Sequence, residues 1–452
     1  SNGNYIYGNN ATGESSAYSF NAATYNRVDN NTASNTIGTG IAFLFTQSHN
    51  NEISGNIAVN TPKVAYQVDT FSVNNVLTDN KAKNTGIIGF FITSGPTTLK
   101  GNKAEDGSAT GFTVSGTNHN TLIGNVASRL PSGFGIGAPG TAADYNMLTS
   151  NQAINDTYGF NVLSSSYNVL VENVARNIGQ NAYAVGASRF TELRNNTAVN
   201  TGVNAFLLWS ATTNSIVRGN TARKAWNGFS VTGNSTDNLI DANRAIDATY
   251  AFAISGNFNN FTRNTATGSS NQGFYLQNSY GSAIIGNKVE GAAQGIVLSQ
   301  TATNTLLDSN TVDMAQQGFG VYGNNNTLIH NNATNSVSGY ILQGSRGNAL
   351  DANSALNITY AGYALFPDSH NNTVTKSLAV NTGVGFQIVS SKDNLLQSNL
   401  VRDSIGGYFV GNPNAPANNN DLDDNTAVRT DYAFVITGSQ LNYLFNNTAL
   451  DT

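Results

Sequence analysis

An eight-residue motif, N-x-Φ-x-x-N-x-A with Φ a large apolar residue, returns about every 23 residues through the chain. It opens as Asn4–Ile6–Asn9–Ala11 and Asn26–Val28–Asn31–Ala33, and it ends as Asn442–Leu444–Asn447–Ala449. Twenty copies align. The second Asn is present in 19 of them, with Ser377 the exception, and the last position is Ala in 17 and Val in three. Only a repeated supersecondary unit has reason to keep such a period, so the repeat constrains the fold before composition is considered.

The other half of the unit reads (G/A)-(F/Y)-x-Φ, as in Gly89-Phe90-Phe91-Ile92 and Gly228-Phe229-Ser230-Val231. Of 19 copies, 18 carry Phe or Tyr, and Ile296 is the departure. Apolar residues at i and i+2 are strand periodicity, and no segment sustains the i, i+3, i+4, i+7 pattern of a helix. Each unit therefore holds two or three short strands between Asn/Gly/Ser/Thr corners. One such unit buries too little to fold alone, so stability requires turns stacked with strands paired above and below. The expected fold is all-β, a single-stranded parallel β-helix (solenoid) of about 20 rungs over residues 1–452. At ~4.8 Å per rung it would extend about 95 Å.

Stacking also explains the 71 asparagines. Asn tolerates left-handed corners, and its carboxamide can donate to one copy and accept from another. The expected ladder is Asn9, Asn31, Asn56, Asn80, Asn102, Asn125, Asn151, Asn173, Asn196, Asn220, Asn243, Asn264, Asn287, Asn310, Asn331, Asn353, Asn399, Asn425 and Asn447. The expected ring column includes Phe90, Phe112, Phe134, Phe160, Phe206, Phe229, Phe252 and Phe274. A third Asn often follows the Ala by two positions, as at Asn35, Asn60, Asn84, Asn155, Asn200, Asn357 and Asn381.

Charged residues make up 10% of the chain, against about 25% in a typical soluble protein. Net charge is −5 with no basic run, which argues against nucleic acid as a partner. No apolar run approaches the ~20 residues of a membrane span. The absence of Cys excludes disulfides and Cys-ligated metals.

The stretches NNEISGNIAVN (50–60) and SYNVLVENVARN (166–177) resemble the right-handed parallel β-helix repeat. That repeat occurs in pectate-lyase-like proteins, sugar hydrolase and carbohydrate-binding modules, maturation proteins of nitrous oxide reductase, and bacterial and archaeal cell-surface proteins. The resemblance implies right-handedness and leaves function open. Hydrolases of this fold carry an Asp-Asp pair with Gly-His-Gly and Arg-x-Lys. Here Asp423-Asp424 and Glu105-Asp106 are the adjacent acidic pairs, and neither companion motif exists. The epimerase motif Asp-Pro-His is approached only by Pro367-Asp368-Ser369-His370, in the wrong order.

Three side-chain groups remain as candidates. Asp421, Asp423 and Asp424 follow the Pro-rich insertion NPNAPANNN (412–420) and form a weak calcium site; no other cofactor is expected. His49, His119, His330 and His370 sit on separated rungs, and with two Met they offer no copper set. Trp209 and Trp226 could form a small carbohydrate-binding platform. No capping unit is recognisable at either end, so copies of the chain are expected to stack head to tail or pack laterally. The leading reading is a non-enzymatic structural protein at the cell surface or outside the cell: a surface-layer, sheath, filament or adhesin subunit. The alternative is an extracellular polysaccharide-active enzyme or carbohydrate-binding module.

Overall fold

The computed structural model describes residues 2–38 and 40–452, and among them every regular element is a β-strand. The solenoid runs about 19 turns of about 23 residues. That is one fewer than the copies of the first motif, because 20 first halves enclose 19 second halves. The chain divides into two compact units, one ending at Trp226 and one beginning at Asn227.

One turn of the first unit illustrates the local logic. Glu52–Ser54 carries Ile53 inward, and Gly55 turns the chain with φ of +62°. Ile57–Thr61 carries Ala58 inward, and Asn60 makes a second left-handed corner with φ of +54°. Val64–Asp69 then carries Ala65, Tyr66 and Val68 into the core. The pairing of successive turns is parallel and keeps equivalent residues in register. Ile53 lies beside Leu77, Ala58 beside Ala82, and Tyr66 beside Phe90. In the second unit Ile284 lies beside Leu307 and Val289 beside Val312.

A buried asparagine inside the ladder can be satisfied to capacity, as at Asn56. The Asn56 Oδ1 accepts from the Asn31 backbone N–H at 2.9 Å and from the Asn31 Nδ2 at 3.0 Å. The Asn56 Nδ2 donates to the Asn80 Oδ1 at 2.9 Å and to the Val28 carbonyl at 2.7 Å. Two protons and two lone pairs are thus used on the Asn56 side chain, which is the condition for burying a carboxamide without penalty. In the first unit this side-chain chain runs unbroken from Asn9 to Asn220. In the second it runs from Asn243 to Asn353 and again from Asn399 to Asn447, with the break at Ser377.

The rings form columns at one-rung spacing. Phe90, Phe112, Phe134 and Phe160 have centroids 4.8, 4.8 and 4.6 Å apart and planes within 7° of parallel. Tyr183 fills the place between Phe160 and Phe206. In the second unit Phe229, Phe252 and Phe274 stack, then Ile296 interrupts, and Phe319 to Phe434 resumes. The residue before each ring has no room for a larger side chain. A Cβ on Gly89 would lie 2.6 Å from the Gly111 carbonyl oxygen, so that turn takes Gly, while Ala65 and Ala182 fill the same step of other turns.

Candidate functional site

The interior is filled mainly by apolar side chains and hydrogen-bonded amides, so a ligand site must lie on the outward surface. The third-asparagine corner is the most informative part of it. In the second unit it reads Asn335, Asn357, Asn381, Asp403, Arg429 on five consecutive turns, all left-handed with φ between +49° and +57°. Asn and Asp adopt this conformation readily, whereas Arg pays a steric cost there. The Asn357 Nδ2 donates to the Asn335 Oδ1 at 3.1 Å, and the Asn381 Nδ2 donates to the Asn357 Oδ1 at 3.0 Å. Arg429 closes the run with a bidentate pair to Asp403, Nε to Oδ1 at 2.6 Å and Nη2 to Oδ2 at 2.9 Å. The bonded guanidinium holds the Asp403 carboxyl below the usual carboxylate range, and the carboxylate raises Arg429 in return.

Beside this run the chain bends back into the aromatic strand, leaving an open groove of about 550 Å³. Thr359, Gly383, Ile405 and Asp431 form its other side. These amides differ from the buried ladder in one respect. Within the ladder bonds, Asn357 uses one N–H and one lone pair, so the second of each is free to meet solvent or a ligand.

A second concavity of about 600 Å³ lies on the outer face of the aromatic strands, between Tyr275 and Tyr322. Its amides are largely committed to one another: Gln272 donates to Gln294, Gln294 to Gln317 at 2.8 Å, and Gln317 to the Tyr322 hydroxyl at 3.0 Å. In the first unit His119, Tyr145, Tyr167 and Phe190 stack on a left-handed corner with centroids 5.3, 4.7 and 5.0 Å apart. Their faces cover each other, so mainly ring edges meet solvent.

The residues singled out from sequence are placed as follows. Asp421 and Asp423 share the outer side of Asp421–Asp423, while Asp424 turns away in a corner with φ of +51°. The Asp423 Oδ2 accepts from the Gln397 Nε2 at 2.9 Å. Among the described residues no group of three or more His, Cys, Asp or Glu is placed to hold a metal, so the calcium expectation finds no ligand set. Trp209 ends Thr197–Trp209, its indole lying over Gly186. Trp226 lies near the start of the next aromatic strand, at the position of Gly202 or Val203 in the preceding turn. Along a strand that offset from Trp209 is about 20 Å, so the two indoles do not form one platform.

The Asp403–Arg429 pair was not singled out from sequence. Aligning the repeats and reading the departures within the third-Asn column would have exposed it, because Asp and Arg replace Asn there on successive turns.

Residues 272–450 match the family described as "Right handed beta helix region", and residues 1–142 match "Periplasmic copper-binding protein (NosD)". The second description names copper, but the donors in its span do not fit that ion. His49 accepts a backbone N–H from Val73, His119 stacks on Tyr145, and neither Met nor Cys occurs there. Comparison with curated sequences gave no significant match. Similar solved structures include a periplasmic alginate epimerase, at 9% identity and TM-score 0.32, over 79% of this chain and 76% of that one. A mannuronic acid specific lyase from human gut microbiota shares 10% identity at TM-score 0.35, over 78% and 81%. A tailspike protein of an E. coli bacteriophage shares 11% at 0.42, over 79% and 70%. Likeness at that level carries no argument about activity. The motif repeat, the stacked parallel strands and the family match over the second unit agree, and the chain is a right-handed parallel β-helix repeat protein.

Proposed function

We propose that the chain binds a linear, hydroxyl-rich polysaccharide along the groove beside Asn357, Asn381 and Asp403. The observation that carries this reading is a run of half-used amides at one-rung spacing that ends in an Asp–Arg fork beside a groove, unlike the run Asn155, Asn177 and Asn200, which leads on to Lys224. Each offers one donor and one acceptor, which matches the vicinal hydroxyls of a sugar chain better than it matches an apolar or strongly charged ligand. The charges of Asp403 and Arg429 largely cancel, so the ligand need not be ionic. Their bidentate pair fixes the end of the run and gives the groove a direction.

Binding is favoured over cleavage. Glycosidic cleavage by paired carboxyls needs one that stays protonated as general acid. Asp403 is instead held ionised by Arg429. This is the alternative of the two sequence readings, narrowed to a binding module. An exported location, periplasmic or extracellular, accords with the family description matched over residues 1–142.

The test is isothermal titration with a panel of hexasaccharides: β-1,4-glucan, β-1,4-mannan, β-1,3-glucan and β-1,4-mannuronan. At least one is expected to bind, and the Asn357→Ala/Asn381→Ala double variant is expected to weaken binding at this groove about thirtyfold, from two hydrogen bonds of about 1 kcal/mol each. A panel with no binder, or a variant that matches the parent in both affinity and stoichiometry, would overturn the proposal.

A further inference from the structure

The first unit repeats the same arrangement. Its third-asparagine corner reads Asn35, Asn60, Asn84, Asp106, Arg129 on five consecutive turns, with φ between +52° and +59°. The order of residue types is that of Asn335, Asn357, Asn381, Asp403, Arg429, and so are the bonds. The Asn60 Nδ2 donates to the Asn35 Oδ1 at 2.8 Å, and the Asn84 Nδ2 donates to the Asn60 Oδ1 at 3.0 Å. Arg129 clamps Asp106, Nε to Oδ1 at 2.5 Å and Nη2 to Oδ2 at 3.1 Å. A groove of about 430 Å³ runs beside them, bounded by Thr36, Pro62, Gly86 and Ser108. Asp106 is held below the ordinary carboxylate range by Arg129, as Asp403 is by Arg429.

Fold alone does not demand this recurrence. Any residue that tolerates a left-handed corner would serve the backbone, and Gly or Asn would serve it best. Arg is the costly choice, yet it stands at the same step of both runs, each time forked onto an Asp one turn earlier. The solvent-exposed pairs add little stability, so their geometry needs another reason. Both directions also agree with chain order, from three amides to the acid to the base.

We infer that the chain holds two equivalent glycan sites, one in each unit, and that each takes the same linear polysaccharide in the same chain direction. The first site differs in its surroundings: Lys83 lies 3.9 Å from Asp106, and Glu105 lies 3.7 Å from Arg129. The proposal rests on the glycan-binding reading above and extends it from one site to two.

The experiment titrates the full chain with the same four hexasaccharides and reads the stoichiometry. Two variants accompany it, Asn60→Ala/Asn84→Ala and Asn357→Ala/Asn381→Ala, all at exposed side chains. Two equivalents are expected for the parent, one for each double variant, and none at the same concentrations for the quadruple variant. One equivalent for the parent, lost in the Asn357/Asn381 variant and untouched in the Asn60/Asn84 variant, overturns the second site and leaves the first reading standing. No binding of any panel member overturns both. Circular dichroism of the variants, expected to match the parent, separates lost binding from lost fold, while melting temperatures should fall modestly because Ala fits a left-handed corner less well than Asn.

Discussion

The backbone N–H of Asn353 donates to the Ser377 Oγ at 3.3 Å, where every neighbouring turn presents an Asn Oδ1 at 2.8–3.0 Å. Ser377 spends its own hydroxyl proton on the Thr375 carbonyl, and the Asn353 Nδ2 keeps only its bond to the Leu328 carbonyl. The ladder is therefore two side-chain bonds short here, one to Asn353 and one to Asn399. Ser377→Asn should restore both and stabilise the second unit by about 2 kcal/mol, at about 1 kcal/mol for each buried hydrogen bond. The midpoint of urea unfolding should rise. A fall would mean the turn is too tight for the longer side chain. The reverse change, Asn310→Ala, strands the Asn287 N–H and Nδ2 and the Ile284 carbonyl. It should cost about 2–4 kcal/mol.

Tyrosine is tolerated in the ring column because its hydroxyl has a fixed acceptor. The Tyr340 hydroxyl donates to the Asn331 carbonyl at 2.7 Å, and Tyr66 and Tyr408 repeat this bond to Asn56 and Asn399. Burial raises these phenols well above their usual range, so they stay neutral donors. Tyr340→Phe keeps the stack and loses the bond, and should cost about 1 kcal/mol. Tyr340→Ala removes both ring contacts and leaves a cavity, and should cost about 3–5 kcal/mol. Comparable losses for the two would show that the stack contributes little.

Repeat period, strand character, ladder and ring column were all legible because stacking forces equivalent positions to be alike. What the repeat hid was its exceptions. Asp106, Arg129, Asp403 and Arg429 look like surface charges in a linear reading, and only their shared corner makes pairs of residues 23 and 26 apart touch. Asp421–Asp424 misled for the opposite reason. Adjacency in sequence suggested a ligand cluster, but a strand and its corner send the carboxylates different ways. Trp209 and Trp226 misled likewise, because neighbouring turns place residues together only at equal register.

Asp156 gives the first unit a pH-dependent weakness. It lies inside the corner, its Oδ1 accepting from the Leu130 N–H at 2.8 Å and its Oδ2 buried without a partner. Burial raises its carboxyl to about 7, against the lesser pull of backbone hydrogen bonds and Arg129. In the folded state the proton is held up to about pH 7, whereas the unfolded chain releases it near the ordinary value of 3.8. Stability is therefore greatest below about pH 4 as far as this group is concerned, and it is lost as pH rises to about 7. The total is roughly 4 kcal/mol by that linkage. Asp156→Asn keeps the acceptor for Leu130 and removes the titration. Urea unfolding of parent and variant across pH 4–8 should show the variant gaining relative stability as pH rises, then levelling above pH 7. Parallel curves would mean Asp156 reaches solvent and titrates normally.

The charge pair in the second-unit groove allows function to be separated from stability. Arg429 and Asp403 are solvent-exposed, and exposed pairs contribute little to folding. Asp403→Asn leaves a neutral amide that no longer holds the guanidinium in its fork, so Arg429 is free to swing across the groove. Melting temperature should stay with the parent. Hexasaccharide affinity at this site should fall severalfold, because an ordered donor array is replaced by a mobile cation whose immobilisation costs entropy on binding. In the Asn60→Ala/Asn84→Ala background, where the second-unit site is the one left to read, titration reports that fall directly. Adding Arg429→Ala to Asp403→Asn removes the mobile cation and should recover part of the loss. Affinity unchanged in Asp403→Asn would show that the ligand does not extend to the charged end of the run, and would confine recognition to the amides of Asn335, Asn357 and Asn381.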